Sequence, residues 1–285
     1  MEYTYRYPHP AVATDCVVFG FDNNDLNVLL IRRGINPYKD CWAFPGGFIK
    51  MDETAEEGVR RELEEETGLT PKYVEQFHTF STVDRDPRER VISIAFFTLV
   101  NNSDVQGGDD AAEAKWFKVS ELPKLAFDHQ EIFHKAKEAL QHQVHFEPIC
   151  FELMDESFSM PSLQRLYEAI LETQFDRRNF QKKILQLGIL SEIDEGETAS
   201  ADTIEKSFTS KLDVSVRLTP QNILESQEQP LYYCWRHTAI KDEHGNKEAS
   251  WTNGLNSASR RGKRYKFNKE QYEAMKARKP FRLEF

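Results

Sequence analysis

Residues 47–69 read GFIKMDETAEEGVRRELEEETGL, and this stretch decides how the first half of the chain folds. Thr54 and Glu57 stand three residues apart, which is the spacing of a capping box at the start of a helix. Gly68 supplies the left-handed residue on which helices commonly end. The sequence therefore predicts a helix from about residue 54 to residue 67.

Three glutamates, Glu62, Glu65 and Glu66, fall on one face of that helix because an α-helix has 3.6 residues per turn. Crowded carboxylates repel one another unless a cation lies among them. Oxygen ligands suit a hard ion such as Mg²⁺ or Mn²⁺, which also bridges diphosphates. The alternative is a solvated acidic helix in which Arg60 and Arg61 form i,i+4 ion pairs. The Pro-Gly-Gly turn before the helix and the spacing of the whole stretch favour the metal site.

A glycine, a glutamate, Arg-Glu-Leu, Glu-Glu and Gly-Leu recur in residues 47–69 at fixed intervals, and this pattern resembles the Nudix box. Nudix hydrolases cleave nucleoside diphosphates linked to another group. The resemblance implies an α/β fold, the Nudix α/β/α sandwich, over residues 1–145. It also implies a hydrolase that holds Mg²⁺ or Mn²⁺ through Glu62, Glu65 and Glu66, with the Gly46 carbonyl as a further ligand. In this scheme Arg61 orients a glutamate and does not touch the substrate.

Two segments outside the box, residues 84–90 (DRDPRER) and 125–129 (LAFDH), resemble the branch of the family directed at ADP-ribose. Guanidinium groups match phosphate geometry, so the resemblance implies phosphate or ribose contacts from an arginine set. The predicted substrate contacts are Arg85, Arg88, Arg90, Phe127 and His129. The alternatives are an arginine turn whose charges pair among themselves, a core Phe127 and an Asp128 that caps a helix.

The general base is predicted near Trp116, where related enzymes often place a loop carboxylate. Asp109, Asp110 and Glu113 lie just before this residue. Glu113 is the candidate base, and Glu53 of the box is the rival.

Bulk composition narrows the class of protein. The chain has 285 residues and a net charge of −10, which by itself argues against nucleic-acid binding. The excess of acidic residues lies mainly in the first half, so the charge does not exclude a basic, DNA-binding surface in the second half. The cysteines are scattered without a metal-binding spacing and read as free thiols: Cys16, Cys41, Cys150 and Cys234. Neither a signal peptide nor a membrane-spanning run is found, so we expect a cytoplasmic protein that does not contact membranes.

The second half, residues 146–285, contains two candidate helices within residues 159–190. Ser162 is predicted to cap the first helix and Asp176 the second, which Gly188 ends. Two short helices joined by a tight turn form a helix-turn-helix pattern. The side chains on the outer face of the second helix are of the types that contact phosphates and base edges: Arg177, Arg178, Asn179, Lys182 and Lys183. The alternative is a helical hairpin with a solvated basic face.

The sequence LYEAI, followed by DRRNFQKKI, resembles the winged helix-turn-helix domain of Nudix-related transcriptional regulators. These regulators are of the nicotinamide-related and arabinose-responsive types. Residues 260–275 resemble the closing wing strand and final helix of that domain. Its predicted DNA contacts, which a solvated basic strand explains equally, are Arg260, Arg261, Lys263 and Arg264. A long insert at about residues 191–257 departs from the family. It begins with an acidic loop, and residues 231–246 predict an extra hairpin within it.

Together these features predict a ligand-responsive transcriptional regulator that binds ADP-ribose or a related nucleoside diphosphate sugar and hydrolyses it with Mg²⁺. Promoter DNA is the predicted partner, and a homodimer is expected because symmetric operators call for two recognition helices. The first alternative is a Mg²⁺-dependent ADP-ribose pyrophosphatase whose C-terminal domain serves dimerisation. The second is a non-catalytic sugar-sensing repressor.

Overall fold

A mixed seven-stranded sheet forms the centre of the first half. The computed structural model describes residues 6–22, 24–101, 113–193, 236–241, 247–252, 263–278 and 281–284. The strands of this sheet are β1 (Ala11–Phe21), β2 (Leu26–Arg32), β3 (Trp42–Ala43), β4 (Gly46–Phe48), β5 (Glu75–Phe80), β6 (Val91–Leu99) and β7 (Ala114–Lys118). Their order is β3-β2-β1-β6-β5, with β4 paired to β1 and β7 to β2. Strands β1 and β2 pair antiparallel as a hairpin, whereas β1 and β6 run parallel.

Two helices, α1 (Ala55–Thr67) and α2 (His129–Gln143), cover opposite faces of the sheet. Successive side chains of β1 point to opposite faces, as strand geometry requires. Cys16 accordingly packs in a cluster with Leu63 of α1, whereas Phe19 packs in a cluster with Phe133 of α2. Full burial of a side chain such as Leu63 stabilises the fold by about 1.5–3 kcal/mol. The predicted α/β/α sandwich is confirmed.

Both ends of α1 follow the local signals in the sequence. The Thr54 hydroxyl accepts from the Glu57 amide at 3.2 Å, and the Thr54 amide donates to the Glu57 carboxylate at 2.8 Å. Gly68 ends the helix with φ 70°, and its amide donates to the Glu64 carbonyl at 2.9 Å. The capping box and the left-handed cap fix which residues face the neighbouring strand β4.

The second half forms a winged helix-turn-helix. Its elements in the described residues are β8 (Phe158–Ser159), α3 (Met160–Leu171), α4 (Arg177–Gln186), β9 (Leu190–Ile193), β10 (Arg236–Lys241), β11 (Lys247–Thr252), β12 (Arg264–Phe267) and α5 (Lys269–Lys276). Strands β8, β12 and β9 form an antiparallel sheet in that order. Across the part of the chain that the structure describes, no helix combines the length and apolarity needed to cross a membrane.

Of the two predicted caps of α3 and α4, the cap of α4 is confirmed and the cap of α3 is not. Asp176 caps α4 as predicted, since its carboxylate accepts from the Asn179 amide at 2.9 Å. The prediction that Ser162 caps α3 is wrong. The helix begins one residue before Pro161, and Ser159 is its cap, accepting from the Ser162 amide at 3.2 Å. Proline is favoured in the first turn of a helix because its missing N–H has no intrahelical partner there.

In sequence, the long insert lies between strands β9 and β12 of the winged helix. Ile193 of β9 lies opposite Arg264 of β12, and the chain between them forms a separate compact unit, Asp194–Gly262. Within this unit β10 and β11 pair antiparallel, so the predicted hairpin is present. The predicted bounds of the insert, about residues 191–257, stay a prediction, and residues 191–193 are paired in the wing sheet. The predicted acidic loop lies, beyond its first two residues, outside the described residues.

The Nudix and winged-helix parts belong to one compact unit and share one apolar core. Leu140 and Val144 at the end of α2 and Leu163 of α3 are members of the same buried cluster. The Gln141 side-chain amide also donates to the Ile170 carbonyl of α3 at 2.8 Å. The domain boundary at residues 145 and 146 stays a prediction.

Candidate functional site

The Arg61 guanidinium organises the acidic face of α1. It forms a bidentate pair with Glu53 at 2.9 and 2.7 Å. It also donates to Glu62 at 2.7 Å and to Glu65 at 3.1 Å. Hydrogen bonding to Arg61 lowers the pKa of Glu53 to about 2. A carboxylate with so low a pKa accepts a proton poorly near neutral pH, so this geometry favours an orienting role for Glu53.

Glu66 occupies the most desolvated position on this face. Its carboxylate accepts from the Gly46 amide at 2.9 Å. Burial raises the pKa of Glu66 to about 8, with the nearby carboxylates of Glu62 and Asp15 adding to the rise. Negative charge is therefore crowded at this end of the helix without full compensation.

Two glycines let β4 lie directly against α1. A Cβ atom at Gly47 would overlap the Glu62 carboxylate, and one at Gly46 would overlap the Thr14 carbonyl oxygen. The two positions therefore require residues without a side chain. The Pro-Gly-Gly turn brings the backbone of β4 within reach of the acidic face.

The acidic face has the donor chemistry of a divalent metal site but is not arranged as one. Carboxylate oxygens are the ligands that hard divalent cations prefer. Over the described ranges, no three acidic, histidine or cysteine side chains are clustered as a ready-made ligand set. The bonds from Arg61 to Glu62 and Glu65 account for this placement. The donors fit a divalent ion, and binding one requires the two glutamates to exchange their guanidinium partner for the metal.

A cavity opens beside the acidic face. It is lined by Ala13, Asp15, Ile31, Arg33, Phe44, Gly46, Gly47, Phe48, Arg85, Asp86, Arg88, Val91, Phe127 and His129. An adjoining space shares Arg33 and Arg88 with this cavity and is also lined by Glu66. The carboxylate of Glu66 on α1 therefore lies beside the cavity.

Two guanidinium groups and two aromatic rings form one wall of the cavity. The Arg33 guanidinium lies 4.7 Å from the Phe127 ring centroid. The Arg88 guanidinium lies 5.3 Å from the Phe48 ring and 5.9 Å from the Phe127 ring. Burial lowers the pKa of Arg33, and the neighbouring Arg88 charge lowers it further. This wall offers flat apolar faces and positive charge together.

Arg33 was missed by the sequence analysis, although a signal was available. It stands at the end of β2 in the run Ile31-Arg32-Arg33, two basic residues directly after a buried strand. Strand ends often carry functional side chains, because the sheet holds them rigidly.

The backbone of Phe127 adopts a conformation that non-glycine residues rarely take. Its φ is 50°, in the left-handed region. The Tyr38 ring packs against Phe127 with centroids 4.6 Å apart, and the Phe127 ring also contacts His129 at 5.6 Å. Strained residues of this kind cluster at ligand sites, where the surrounding structure holds them.

Arg85 is buried and bonded internally. Its guanidinium donates to both carboxylate oxygens of Asp128 at 2.9 and 2.7 Å, and to Asp15 at 3.3 Å. Asp128 stands at the N-cap of α2, in line with the alternative interpretation, but its side chain forms no cap bond because Arg85 takes up the carboxylate. Arg85 therefore lines the cavity while it ties the loop of residues 84–90 to the start of α2.

Buried His129 forms the floor of the cavity. Its Nδ1 accepts from the Phe44 amide at 3.0 Å, and its ring stacks on Phe44 with centroids 5.7 Å apart. Its Nε2 lies 3.5 Å from an Asp15 oxygen. Burial lowers the pKa of His129, against the opposing pull of Asp15. Because Nδ1 accepts a hydrogen bond, the ring is neutral with its proton on Nε2.

We expect the stability of the protein to fall as the pH drops below about 6.5, the ordinary pKa of histidine, because the unfolded chain binds a proton that folded His129 resists. Each unit by which the pKa is lowered contributes about 1.4 kcal/mol of stability that is present at neutral pH and lost in acid. The check is urea unfolding between pH 5 and 8 for the parent and for His129→Asn, which keeps an acceptor for Phe44. Comparing the two isolates His129 from other titrating groups. Parallel stability curves would contradict this assignment.

Two predicted site residues lie outside the cavity. The Arg90 guanidinium donates to the carbonyls of Thr82 and Ser81 at 3.0 and 2.8 Å. Glu113 pairs loosely with Arg32 at 3.8 Å, and its side chain is 46% exposed. Neither side chain lines the cavity, and their roles stay predictions.

The predicted DNA-contacting face of α4 is directed outward for four of its five residues. Arg177, Arg178, Asn179 and Lys182 are exposed, whereas Phe180 and Ile184 are buried as predicted. Lys183 differs, because it is half-buried and its amine donates to the Glu284 carbonyl at 2.6 Å.

The predicted basic wing is partly engaged within the protein. The Arg264 guanidinium donates to the Ser157 hydroxyl at 3.0 and 2.8 Å and to the Ser157 carbonyl. Lys263 pairs with Glu192 of β9 at 2.6 Å but its side chain is 67% exposed. Arg260 and Arg261 lie outside the described residues.

Comparison with known proteins identifies both parts of the chain. Residues 9–136 match the NUDIX domain family, and residues 150–202 match the NrtR DNA-binding winged helix domain. The chain is 30% identical to the ADPR responsive transcriptional repressor NtrR of Acinetobacter baylyi over 198 residues, which is 68% of this chain and 79% of that protein. The chain belongs to the NrtR family.

Other relatives support each half of this NrtR-family architecture. The solved structure of Shewanella oneidensis NrtR complexed with a 27mer DNA matches with a TM-score of 0.58 and 28% identity, over 66% of this chain and 90% of that one. An ADP-ribose pyrophosphatase of Methanocaldococcus jannaschii is 50% identical over 129 residues, 45% of this chain and 74% of that protein. The resemblance to Nudix-related regulators of the nicotinamide-related type is confirmed.

Proposed function

We propose that this chain is an ADP-ribose-responsive transcriptional regulator. Its Nudix cavity binds ADP-ribose or a closely related nucleoside diphosphate sugar, and its winged helix binds promoter DNA. The observation that carries this proposal is the union of the two parts in one compact unit. A ligand cavity and an exposed basic helix share a continuous core there. The DNA-bound NrtR relative and the ADPR-responsive repressor support it.

The cavity suits a ligand with a flat base and a diphosphate. The rings of Phe48 and Phe127 offer faces for stacking, and the guanidinium groups of Arg33 and Arg88 offer charge for phosphate oxygens. The adjoining space leads toward Glu66, so the diphosphate end of the ligand is expected on that side.

We further propose that the protein hydrolyses ADP-ribose with Mg²⁺ or Mn²⁺ to AMP and ribose 5-phosphate. Glu62, Glu65 and Glu66 would hold the metal, with the Gly46 carbonyl as a further ligand. The ion would supply charge neutralisation at the phosphate oxygens and a lowered pKa for water. Arg61 positions Glu53 and the α1 carboxylates through the bonds described above. Glu113 is retained as the proposed base.

A second candidate function is that of an ADP-ribose pyrophosphatase whose winged helix serves assembly only. The 50% identity to the archaeal ADP-ribose pyrophosphatase favours it. The two candidates differ in one observable, which is whether ADP-ribose changes the affinity for promoter DNA.

We propose a homodimer, because a two-fold symmetric operator presents two half-sites to two recognition helices. We also propose that the protein works in the compartment that holds the chromosome, the cytoplasm of a cell without a nucleus. A homodimer in this compartment favours the regulator over the pyrophosphatase only if the protein also binds DNA.

The test is the affinity for a promoter fragment measured with and without ADP-ribose. We expect the ligand to weaken DNA binding by about tenfold, within the usual range of allosteric coupling. An unchanged affinity contradicts the regulator and leaves the pyrophosphatase.

A further inference from the structure

The last described residues of the chain, 281–284 (here called the tail), are built into the core. Phe281 and Leu283 are only 4% and 2% exposed. The Phe281 ring packs edge-on against Tyr272 of α5 with centroids 6.0 Å apart. The burial of both side chains gives the tail a structural role.

On one side the tail is bonded to His145, two residues after the end of α2. The Leu283 amide donates to the His145 carbonyl at 2.8 Å. The His145 Nδ1 and the Leu283 carbonyl are also 2.8 Å apart. Because a carbonyl only accepts, His145 carries its proton on Nδ1 in this contact. Two hydrogen bonds thus join the tail to the Nudix part of the chain.

On its other side the tail is bonded to α4. The Glu284 carbonyl accepts from the Lys183 amine at 2.6 Å. Lys183 is half-buried, whereas the adjacent Lys182 is exposed with the predicted DNA contacts. The Lys183 amine is therefore directed at the tail. We assign it to the contact with Glu284 in place of the predicted DNA contact.

Helix α2 connects the tail to the ligand cavity. His129, its first residue, lines the cavity and bonds the Phe44 amide. The preceding Asp128 holds Arg85, which also lines the cavity. A helix of 15 residues is about 22 Å long, so α2 extends from the cavity toward the tail. A shift at the cavity end of α2 is thereby carried to His145.

We propose that the tail is a positioning segment that fixes α4 to the end of α2, so that occupancy of the cavity changes the placement of the DNA-binding helix. This inference rests on the proposed function, in which the cavity binds ADP-ribose and α4 binds DNA. A ligand shifts such an equilibrium only through different affinity for the two placements.

A competing route exists, because α2 also contacts α3 directly. Gln141 bonds the Ile170 carbonyl at 2.8 Å, and Lys137 pairs with Glu172 at 2.6 Å. Spatial connection alone does not show which route carries the coupling. The variants therefore have to separate the tail from the α2–α3 contact.

The experiment compares a chain ending at residue 280, His145→Leu and His145→Asn, which keeps a side-chain N–H donor. Arg282→Ala is the matched tail control, since that side chain is 67% exposed and pairs with Glu284. Gln141→Ala weakens the competing contact. Each protein is assayed for calorimetric ADP-ribose binding, for promoter affinity with and without ADP-ribose, and for amide hydrogen exchange in α4.

We expect the shortened chain and His145→Leu to bind ADP-ribose like the parent. Their ADP-ribose-dependent change in promoter affinity is expected to fall from about tenfold to near onefold. Arg282→Ala, Gln141→Ala and His145→Asn are expected to keep the parental change. ADP-ribose is expected to alter hydrogen exchange in α4 of the parent and not in α4 of the shortened chain.

A parental response in both the shortened chain and His145→Leu overturns the inference. If the parent binds ADP-ribose but its DNA affinity does not change, the proposed regulator fails. Hydrogen exchange in α4 then tests separately whether the tail couples the cavity to this helix. An equal change in α4 exchange with and without the tail, or none in the parent, then overturns it. If the shortened chain does not fold, the comparison of His145→Leu with His145→Asn tests the proposal. Only the asparagine variant keeps a hydrogen-bond donor for the Leu283 carbonyl.

Discussion

Replacing Glu65 and Glu66 together with glutamine is expected to lower the rate of AMP release from ADP-ribose by about 10³-fold or more. The substitution removes two of the three carboxylates proposed to hold the metal. Glutamine retains an oxygen that accepts from the Gly46 amide, so the local fold is expected to persist. Because burial opposes the ionisation of Glu66, its replacement by neutral glutamine should leave the melting temperature of the metal-free protein unchanged or higher.

The matched control is Glu64→Gln, an exposed glutamate of the same helix outside the proposed ligand set. Its turnover should equal that of the parent, and chelation of divalent metal should abolish turnover in both. Rates are measured from AMP formation at saturating Mg²⁺, alongside thermal unfolding of each protein. Parental turnover in the doubly substituted protein would remove the metal assignment.

Replacing Arg178 and Lys182 together with alanine is expected to weaken promoter binding by about 10- to 100-fold. Both side chains are exposed on α4 while Phe180 and Ile184 anchor the helix from the other face, so the fold should not change. Each lost phosphate contact lowers the salt dependence of binding by about 1 in the slope of log K against log salt. Affinity is therefore measured over a series of salt concentrations.

The control removes the same charge from the Nudix part through Lys124→Ala with Lys135→Ala, both exposed. This control should bind DNA with nearly parental affinity, which separates local contact from net charge. Turnover of ADP-ribose should be unaffected in either protein. Equal promoter affinity of the Arg178 and Lys182 variant and the parent would show that α4 does not contact DNA.

The parts predicted from sequence are those whose signals are local. The caps of α1 involve residues 54, 57 and 68, and the shared face of its glutamates follows from helix geometry alone. The same holds for α4, where Asp176 and the spacing of Phe180 and Ile184 define the inner and outer faces.

The site residues whose role was not foreseen depend on partners distant in sequence. Arg85 bonds Asp128, 43 residues away, and Asp15, 70 residues away. A run of three arginines predicted phosphate contacts, but the fold supplies internal acceptors to all of them. Arg85 bonds Asp128 and Asp15, Arg88 forms a bidentate pair with Asp86, and Arg90 bonds backbone carbonyls. Sequence alone does not reveal which charges find partners when remote strands meet.

The winged helix shows the same limit. Arg264 belongs to a basic run that predicts a DNA-facing wing, yet β12 is the central strand of its sheet and Ser157 binds the guanidinium. Lys183 belongs to a basic helix face, yet the tail, 101 residues away, accepts its hydrogen bond. In both cases the residue type was read correctly and the tertiary neighbour decided the contact.

The central claim is that one protein joins an ADP-ribose cavity to a DNA-binding helix. The most direct measurement is the anisotropy of a labelled promoter fragment titrated with the Glu65→Gln, Glu66→Gln protein, with and without ADP-ribose. Because this variant should not consume the ligand, the titration reports binding alone. We predict that saturating ADP-ribose weakens DNA binding by about tenfold. DNA affinity that stays the same while calorimetry shows ADP-ribose bound would contradict the account.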